Sequence, residues 1–386
     1  MKSNEYNILN IIGLKIKIIA LNTNKTIIKC TGFFSKFIKK FLLKELSFFD
    51  QEKYITEINK KNKSINNTYY KTYGNSLIFS TWIPPIPSKV FSKLLVSRVL
   101  SIFGYQRYEQ LTISIIEDCP NHCIHCALPN KYNHSYLDIN TLKKIISDAI
   151  NIGFTNIILD GGETLLYNKL EEAISFVSSS KAIISLFTSG FSLNLQKAKN
   201  LKNAGLYSIC ISIDSSIEEK HDKIRGRKGS YREVINAIKC SRNVGMLVNM
   251  YCVLSPFNIM ELEDIYSLAL SLDVNEISFY EIVPTGRWNS KKILTEDQKK
   301  IYFDFVESKK NINGPKIFSG PDIIKNFGCM AGNKWIHITP EGNVQPCACI
   351  PISYGNIYNK PLRKIVKSMN IKKYKNNYEC LMRINK

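Results

Sequence analysis

The sequence predicts an α/β fold around a parallel sheet. Six short apolar runs recur at 111–116, 156–160, 182–188, 208–214, 247–254 and 276–283. Helix-period segments separate them: Ile139–Ile152, Leu170–Ser179, Leu193–Ala204, Tyr231–Val244 and Ile259–Leu272. Gly153, Gly205 and Gly245 fall where helix C-caps belong. Parallel neighbours joined by helices require right-handed crossovers. A doubly wound sheet and a partial α/β barrel both meet this pattern. Either puts the chemistry at the C-terminal ends of the strands.

At 386 residues and 44% hydrophobic content, the chain can bury a large core and a smaller unit besides. It has no apolar run of about 18 residues and no signal-peptide pattern, which argues against a membrane span or export. The expected compartment is a reducing cytoplasm. There, eleven cysteines point to metal or redox chemistry rather than to a disulfide framework. Cys30, Cys210, Cys240 and Cys252 are scattered and read as small buried residues. The formal charge is +21, of which +12 lies in residues 1–110, where 18 Lys/Arg face 6 Asp/Glu. Nothing in the pattern indicates a specific nucleic acid.

Ahead of the first strand the pattern changes. Residues 33–46 place Lys36, Lys40 and Lys44 on one line, opposite Phe34, Phe37, Ile38, Phe41 and Leu42. Such a basic amphipathic helix suits a core face with its lysines in water, a peptide partner, or peripheral membrane contact. Three prolines keep 82–88 extended, and a second amphipathic helix at 89–103 leads into the sheet.

Directly after the strand 111–116 comes EDCPNHCIHCALP (117–129), with Cys119, Cys123 and Cys126 within eight residues. Three thiolates can close a zinc site with His122, His125 or His134. They can also hold three irons of a 4Fe–4S cube, leaving the fourth iron open.

This C-x3-C-x2-C loop resembles that of the radical S-adenosylmethionine (SAM) superfamily, and further segments follow in that family's order. They are Gly161-Gly162-Glu163 after the second strand, Thr188-Ser189-Gly190 after the third, and Ser212-Ile213-Asp214 with HDKIRG (221–226) after the fourth. PTGR (284–287) follows the sixth strand. The departures are small: Thr164 stands where relatives often have Pro, and TSG where they often read T-N-G. The resemblance implies a partial (β/α)6 TIM-like barrel in which Cys119, Cys123 and Cys126 hold a 4Fe–4S cluster. The open iron then binds SAM, which is cleaved reductively to a 5′-deoxyadenosyl radical that takes hydrogen from substrate. It also implies SAM contacts from Gly161, Gly162, Glu163 and Thr188. Ser212 and Asp214 would lie at the ribose, Arg225 at the methionine carboxylate and His125 at the adenine.

Cys329, Gly342 and Cys347 form C-x12-G-x4-C, and residues 337–347 read as a β-hairpin turning at Glu341–Gly342. This resembles the C-terminal auxiliary-cluster extension called SPASM, or its shorter twitch form. The dense cysteine run of full SPASM is missing, and only Cys349 and Cys380 remain. Half a domain with one auxiliary 4Fe–4S cluster is expected, held by Cys329 and Cys347, with Cys349 and Cys380 competing for the remainder. The implied layout is an N-terminal α+β extension (1–108), the radical SAM core (109–310) and a small C-terminal auxiliary-cluster domain (311–386). The implied partners are an electron donor such as a flavodoxin or ferredoxin, and a substrate that is a peptide or protein side chain. A tetrapyrrole of haem biosynthesis or a lipid-like molecule is the alternative. A non-catalytic cluster-binding scaffold is the reading from another class, and the intact three-cysteine loop beside an intact GGE argues against it.

Overall fold

The computed structural model describes residues 76–102, 105–128, 134–178, 182–309, 314–369 and 378–384; before these it gives the backbone of strand segments alone. The chain divides into two compact units, residues 1–107 and 108–386.

In the first unit, β1 (Asn4–Ile11), β2 (Leu14–Ala20), β3 (Lys25–Thr31) and β4 (Asn67–Thr68) form an antiparallel sheet in that order. The β2 sequence LKIKIIA opens with alternating apolar and lysine residues, the period-2 pattern of a strand with one buried face. An α+β extension is the expectation here, but the sequence pattern locates only its helices and none of these strands. The predicted helix 33–46 lies outside the described residues. β5 (Lys71–Tyr73) and β6 (Ser76–Ile78) pair as a hairpin, and the Pro-rich 82–88 stays non-helical, with Ile86 bridging to Leu77. α1 (Lys89–Ile102) follows, its first turn capped where the Ser88 hydroxyl accepts from Phe91 N at 3.0 Å.

The second unit alternates as predicted. Its elements run β7 (Gln110–Ile116), α2 (Ile139–Ile152), β8 (Asn156–Gly161), α3 (Leu170–Ser178), β9 (Ile183–Thr188), α4 (Leu195–Asn203) and β10 (Ser208–Ser212). Then come α5 (Glu218–Arg225), α6 (Ser230–Asn243), β11 (Leu247–Leu254), α7 (Leu262–Ser271), β12 (Glu276–Glu281) and α8 (Glu296–Ser308). β13 (Lys316–Ser319), α9 (Gly320–Phe327), β14 (Trp335–Ile338), β15 (Val344–Gln345), α10 (Leu362–Ser368) and α11 (Leu381–Ile384) complete it. The helices start where their sequence dictates. Asp138, for example, accepts from Asn140 N and Thr141 N, both at 3.0 Å, and so caps α2.

β7 through β12 are the six predicted strands, hydrogen-bonded in chain order and all parallel. This is the partial (β/α)6 barrel. Residues assigned to the auxiliary-cluster domain extend it on both edges. β13 adds beside β12, while β14 runs parallel to β7 and turns back as β15.

Strand alternation sorts the side chains by face. Ile157, Leu159, Leu186, Ile209, Ile211, Val248, Met250, Ile277 and Phe279 pack with helix residues such as Ile146, Val234 and Ile265 in one buried core. Each such burial stabilises the fold by roughly 1.5–3 kcal/mol. The alternate residues lie on the other face, and many are polar or aromatic: Ser185, Ser208, Asn249, Ser278, Tyr251 and Tyr280. A barrel interior built this way is made to receive something other than its own core. Among the described residues no helix is long and apolar enough to cross a membrane.

Candidate active site

The three-cysteine loop leaves the C-terminal end of β7, and Cys119, Cys123 and Cys126 are all partly exposed. Backbone hydrogen bonds tie this irregular segment to the turns after three other strands. Gly162 N donates to Ile116 O (2.7 Å) and Glu163 N to Asp118 O (2.8 Å). His122 N donates to Arg225 O, Ile124 N to Ile224 O, and Arg287 N to Cys126 O, each at 2.9 Å. Thus GGE, HDKIRG and PTGR all grip the loop, because a loop without its own ladder must satisfy its polar groups elsewhere.

Each of these grips has a glycine with no room for a side chain. A Cβ on Gly162 would lie 2.2 Å from Glu117 O and 2.3 Å from Asp118 O. One on Gly286, at φ +53°, would lie 2.2 Å from Cys126 O. The motif glycines let backbone meet backbone at the thiol loop.

Glu163 is fully buried, and its carboxylate braces the next turn. It accepts from Thr188 Oγ1 (2.6 Å), Ser189 N (2.8 Å), Ser189 Oγ (2.5 Å) and Leu165 N (3.0 Å). Burial pushes its pKa up, and these four donors pull it back. The TSG segment is therefore held to GGE through a side chain. No motif spacing records that link.

Asp214 follows β10 and is buried beside Arg225 from the end of α5, with Arg225 Nη2 2.8 Å from Asp214 Oδ2. Asp214 Oδ1 accepts from Val253 N at 3.2 Å, and Asp214 N donates to His221 Nδ1 at 3.2 Å. Arg225 Nη1 reaches Cys123 Sγ at 3.8 Å. Arg225 is thus neither a surface residue nor a remote one: it stands between a carboxylate and a loop thiol. His125 Nε2 lies 3.7 Å from Asp214, and burial holds its pKa below the usual imidazole value despite that carboxylate. His134, on the exposed side, pairs with Asp118 at 2.5 Å. Two of the histidines considered for a zinc site, His125 and His134, thus each lie beside a carboxylate. Ser212 ends β10, paired in register with Tyr251.

The interior face beyond the loop is aromatic. Phe187 meets Tyr251 edge-on at 4.8 Å, Tyr251 stacks on Tyr280 at 5.1 Å, and Tyr280 faces Phe318 at 6.0 Å. Asp160, ending β8 on this face, is held up at about 6, first by burial and further by Glu163. The sequence reading missed Asp160; its place directly before GGE, on the inward alternation of β8, was the available signal.

The C-terminal cysteines also gather. Cys329, Ala331 and Ile350 form a small buried cluster with Cys347, Leu381 and Met382 packed against it. The β14–β15 hairpin turns as predicted, with Gly342 at φ +83° and Gly332 N donating to Pro346 O at 2.9 Å. Cys347 and Cys349 influence each other: Cys349 and burial hold the Cys347 thiol well above its usual range, while Cys347 draws Cys349 below it. Cys380 starts the α11 turn, where Arg383 N donates to Cys380 O at 2.8 Å. Of the scattered cysteines, Cys210 and Cys252 are buried as expected. Cys240 is only half-buried, packed against the margin of the main core, and the Cys30 side chain lies outside the described residues.

Residues 113–269 match the radical SAM superfamily, and residues 329–383 match the iron–sulfur cluster-binding domain SPASM. The chain belongs to the radical SAM superfamily. Among characterised radical SAM relatives, it is similar to the AdoMet-dependent heme synthase of Methanosarcina barkeri, at 26% identity over 274 residues, 64% of this chain and 78% of that protein. It is equally similar to the subtilosin biosynthesis protein AlbA of Bacillus subtilis, at 26% over 269 residues, 67% of this chain but only 59% of AlbA. In fold it resembles Streptococcus suis SuiB, solved with the precursor peptide SuiA, with a TM-score of 0.60 over 93% of this chain and 88% of SuiB at 13% identity.

Membership implies a 4Fe–4S cluster and SAM in the barrel and auxiliary cluster chemistry at the C-terminus. The donor set fits this. Three partly exposed thiols share one short loop that main-chain bonds tie to the strand-end turns, which is the donor set a three-thiolate cluster takes. The glycine cradle holds the loop rigid around that position.

Proposed function

We propose that this radical SAM enzyme modifies a peptide or protein side chain. In this reading Cys119, Cys123 and Cys126 hold the SAM-binding cluster, and Cys329, Cys347, Cys349 and Cys380 hold the auxiliary one. With SAM and an electron, the cluster supplies the radical that takes a hydrogen atom from substrate. The chain's own residues orient and exclude. The backbone of Gly161, Gly162 and Glu163 lines the thiol loop, with the Glu163 carboxylate and Thr188 locking that edge. Ser212, Asp214 and His125 line the next, and Arg225 is the cation available to a carboxylate beside Cys123. The aromatic face of Phe187, Tyr251 and Tyr280 keeps water from the reacting carbon.

The observation that carries a peptide is the first unit. Among the described residues β1 is an edge strand of an antiparallel sheet, and an extended peptide can add to such an edge through main-chain hydrogen bonds. The fold match to SuiB, whose structure holds a precursor peptide, covers 93% of the chain and so takes in this unit as well as the barrel. A tetrapyrrole is the second reading, favoured by the similarity to haem synthases. The electron donor would be a flavodoxin or ferredoxin in a reducing, anaerobic cytoplasm. Peripheral membrane contact through Lys36, Lys40 and Lys44 rests on the sequence alone.

The test offers reduced, anaerobically reconstituted protein and SAM either short precursor-type peptides or an iron porphyrin. Expected is 5′-deoxyadenosine formed in proportion to a mass change in a peptide. Turnover with the porphyrin alone would overturn the peptide reading.

A further inference from the structure

Glu281 is the last residue of β12, and Arg383 lies in the one-turn α11 that follows Cys380. Their side chains meet at 2.6 Å, Arg383 Nη1 to Glu281 Oε2, and both are almost wholly buried, at 6% and 3% exposure. Arg383 Nη2 also donates to Glu281 O at 3.2 Å. The guanidinium is therefore clamped by the side chain and backbone of one residue at a barrel strand end. A lone buried ion pair is a poor source of stability, because desolvating two charges offsets their attraction. Its orientation suggests another purpose. Arg383 Nε has no hydrogen-bond partner among the described residues, nor does Glu281 Oε1.

The turn that carries the guanidinium lies among the C-terminal cysteines. Leu381 and Met382, the residues before Arg383, pack against the Cys329 and Cys347 cluster. Cys380 shares the α11 turn through the Arg383 N to Cys380 O bond. Burial raises the thiols of Cys329 and Cys380, the latter to about 12, and the Arg383 charge opposes it at both; Arg383 also helps lower Cys349.

We infer that Arg383, clamped by Glu281, is a positioning residue of the auxiliary cluster, which fixes one positive charge beside its thiolates and raises its reduction potential. The inference rests on the reading that these cysteines hold a cluster. Cluster potentials follow net charge and hydrogen bonds at the sulfurs. A four-thiolate cubane is anionic in both oxidation states, so a fixed cation favours the more negative, reduced form. The Nε–H is free to donate to a sulfur. Raising the potential makes this cluster the better acceptor for an electron leaving the substrate. Glu281 prevents the cation from turning to solvent.

The experiment uses full-length protein carrying Cys119, Cys123 and Cys126 all changed to Ala, so that only the auxiliary cluster remains. Iron content and an EPR-monitored potential are read for this background alone and with Arg383→Lys, Arg383→Met, Glu281→Gln, or Glu281→Gln together with Arg383→Met. The double variant removes both charges and leaves no unpaired buried carboxylate. Expected is a reduced fraction about tenfold lower at a fixed poise without the guanidinium, which is about 59 mV for one electron. Arg383→Lys should restore most of it, with altered EPR line shape where the Nε–H contact is lost. Loss of iron from Arg383→Met that Arg383→Lys restores also supports the inference. Wild-type potential and spectrum in both neutral variants would overturn it, and so would iron loss in every Arg383 variant together with a wild-type spectrum in Glu281→Gln alone. A background that holds no iron would instead remove the auxiliary cluster itself.

Discussion

The two thiol sites are held in opposite ways. The loop bearing Cys119, Cys123 and Cys126 is gripped by main chain, through hydrogen bonds to strand-end turns and glycines that admit carbonyls. The set of Cys329, Cys347, Cys349 and Cys380 has local main-chain ties, but side chains join its distant pieces, through apolar packing around Ile350 and the buried Glu281–Arg383 pair. A main-chain grip fixes geometry whatever the side chains do, and suits a site where a cofactor must be placed against substrate. A side-chain grip can be retuned by single substitutions, and suits a site whose charge and potential matter more than its shape.

The largest effect expected from this contrast comes from the thiols themselves. Changing Cys119, Cys123 and Cys126 to Ala should abolish 5′-deoxyadenosine formation and take reconstituted iron from about eight to about four per chain. A variant retaining all its iron would show that the two sites are not separate clusters.

A sharper probe is Gly286→Ala. It places a Cβ 2.2 Å from Cys126 O, on top of the roughly 1–2 kcal/mol of a side chain in the left-handed region. First-site iron and SAM cleavage should fall, while the auxiliary EPR signal stays at wild-type intensity. Equal loss at both sites would mean the grips are mechanically one.

Asp160 should give the smallest effect. It interacts electrostatically with Glu163 on one side and with Cys349 and Tyr251 on the other. Its native pKa is raised to about 6 from 3.8, so the folded protein binds its proton more tightly than the unfolded chain does. That contribution is complete below the ordinary Asp range and is lost as pH rises toward and past 6. Asp160→Asn should therefore raise the melting temperature of the holoenzyme more at pH 7.5 than at pH 5. The differential should be about 1 kcal/mol, since water at its partly open side screens some of the cost. A pH-independent difference would place Asp160 outside both sites.

Much of this was legible in the sequence because the features are local. Six apolar runs with helices between them point to a parallel sheet, the motif resemblance decides for a barrel, and a loop of three cysteines is visible wherever it falls. What was not legible joins distant residues. The Glu163 brace on Ser189 spans 26 residues and the Arg383 clamp on Glu281 spans 102. Neither has a spacing that a motif could record. The strands of residues 4–31 were missed for another reason: lysines and aromatics in the segment that follows drew the reading toward helix, while the lysine alternation in LKIKIIA is a strand's own period.

The pairing of β14 with β7 has a consequence in time. Lys334 meets Glu109 across 225 residues of chain, so the strand that leads into the cysteine loop leaves the ribosome long before its outer neighbour exists. At roughly 5–20 residues per second, that edge waits on the order of tens of seconds, with Trp335–Ile338 still unmade. An unpaired edge is a template for aggregation. The nascent chain therefore depends on its surroundings during that interval, and the hairpin that later carries Cys347 close to its partners is also the piece that ends the exposure.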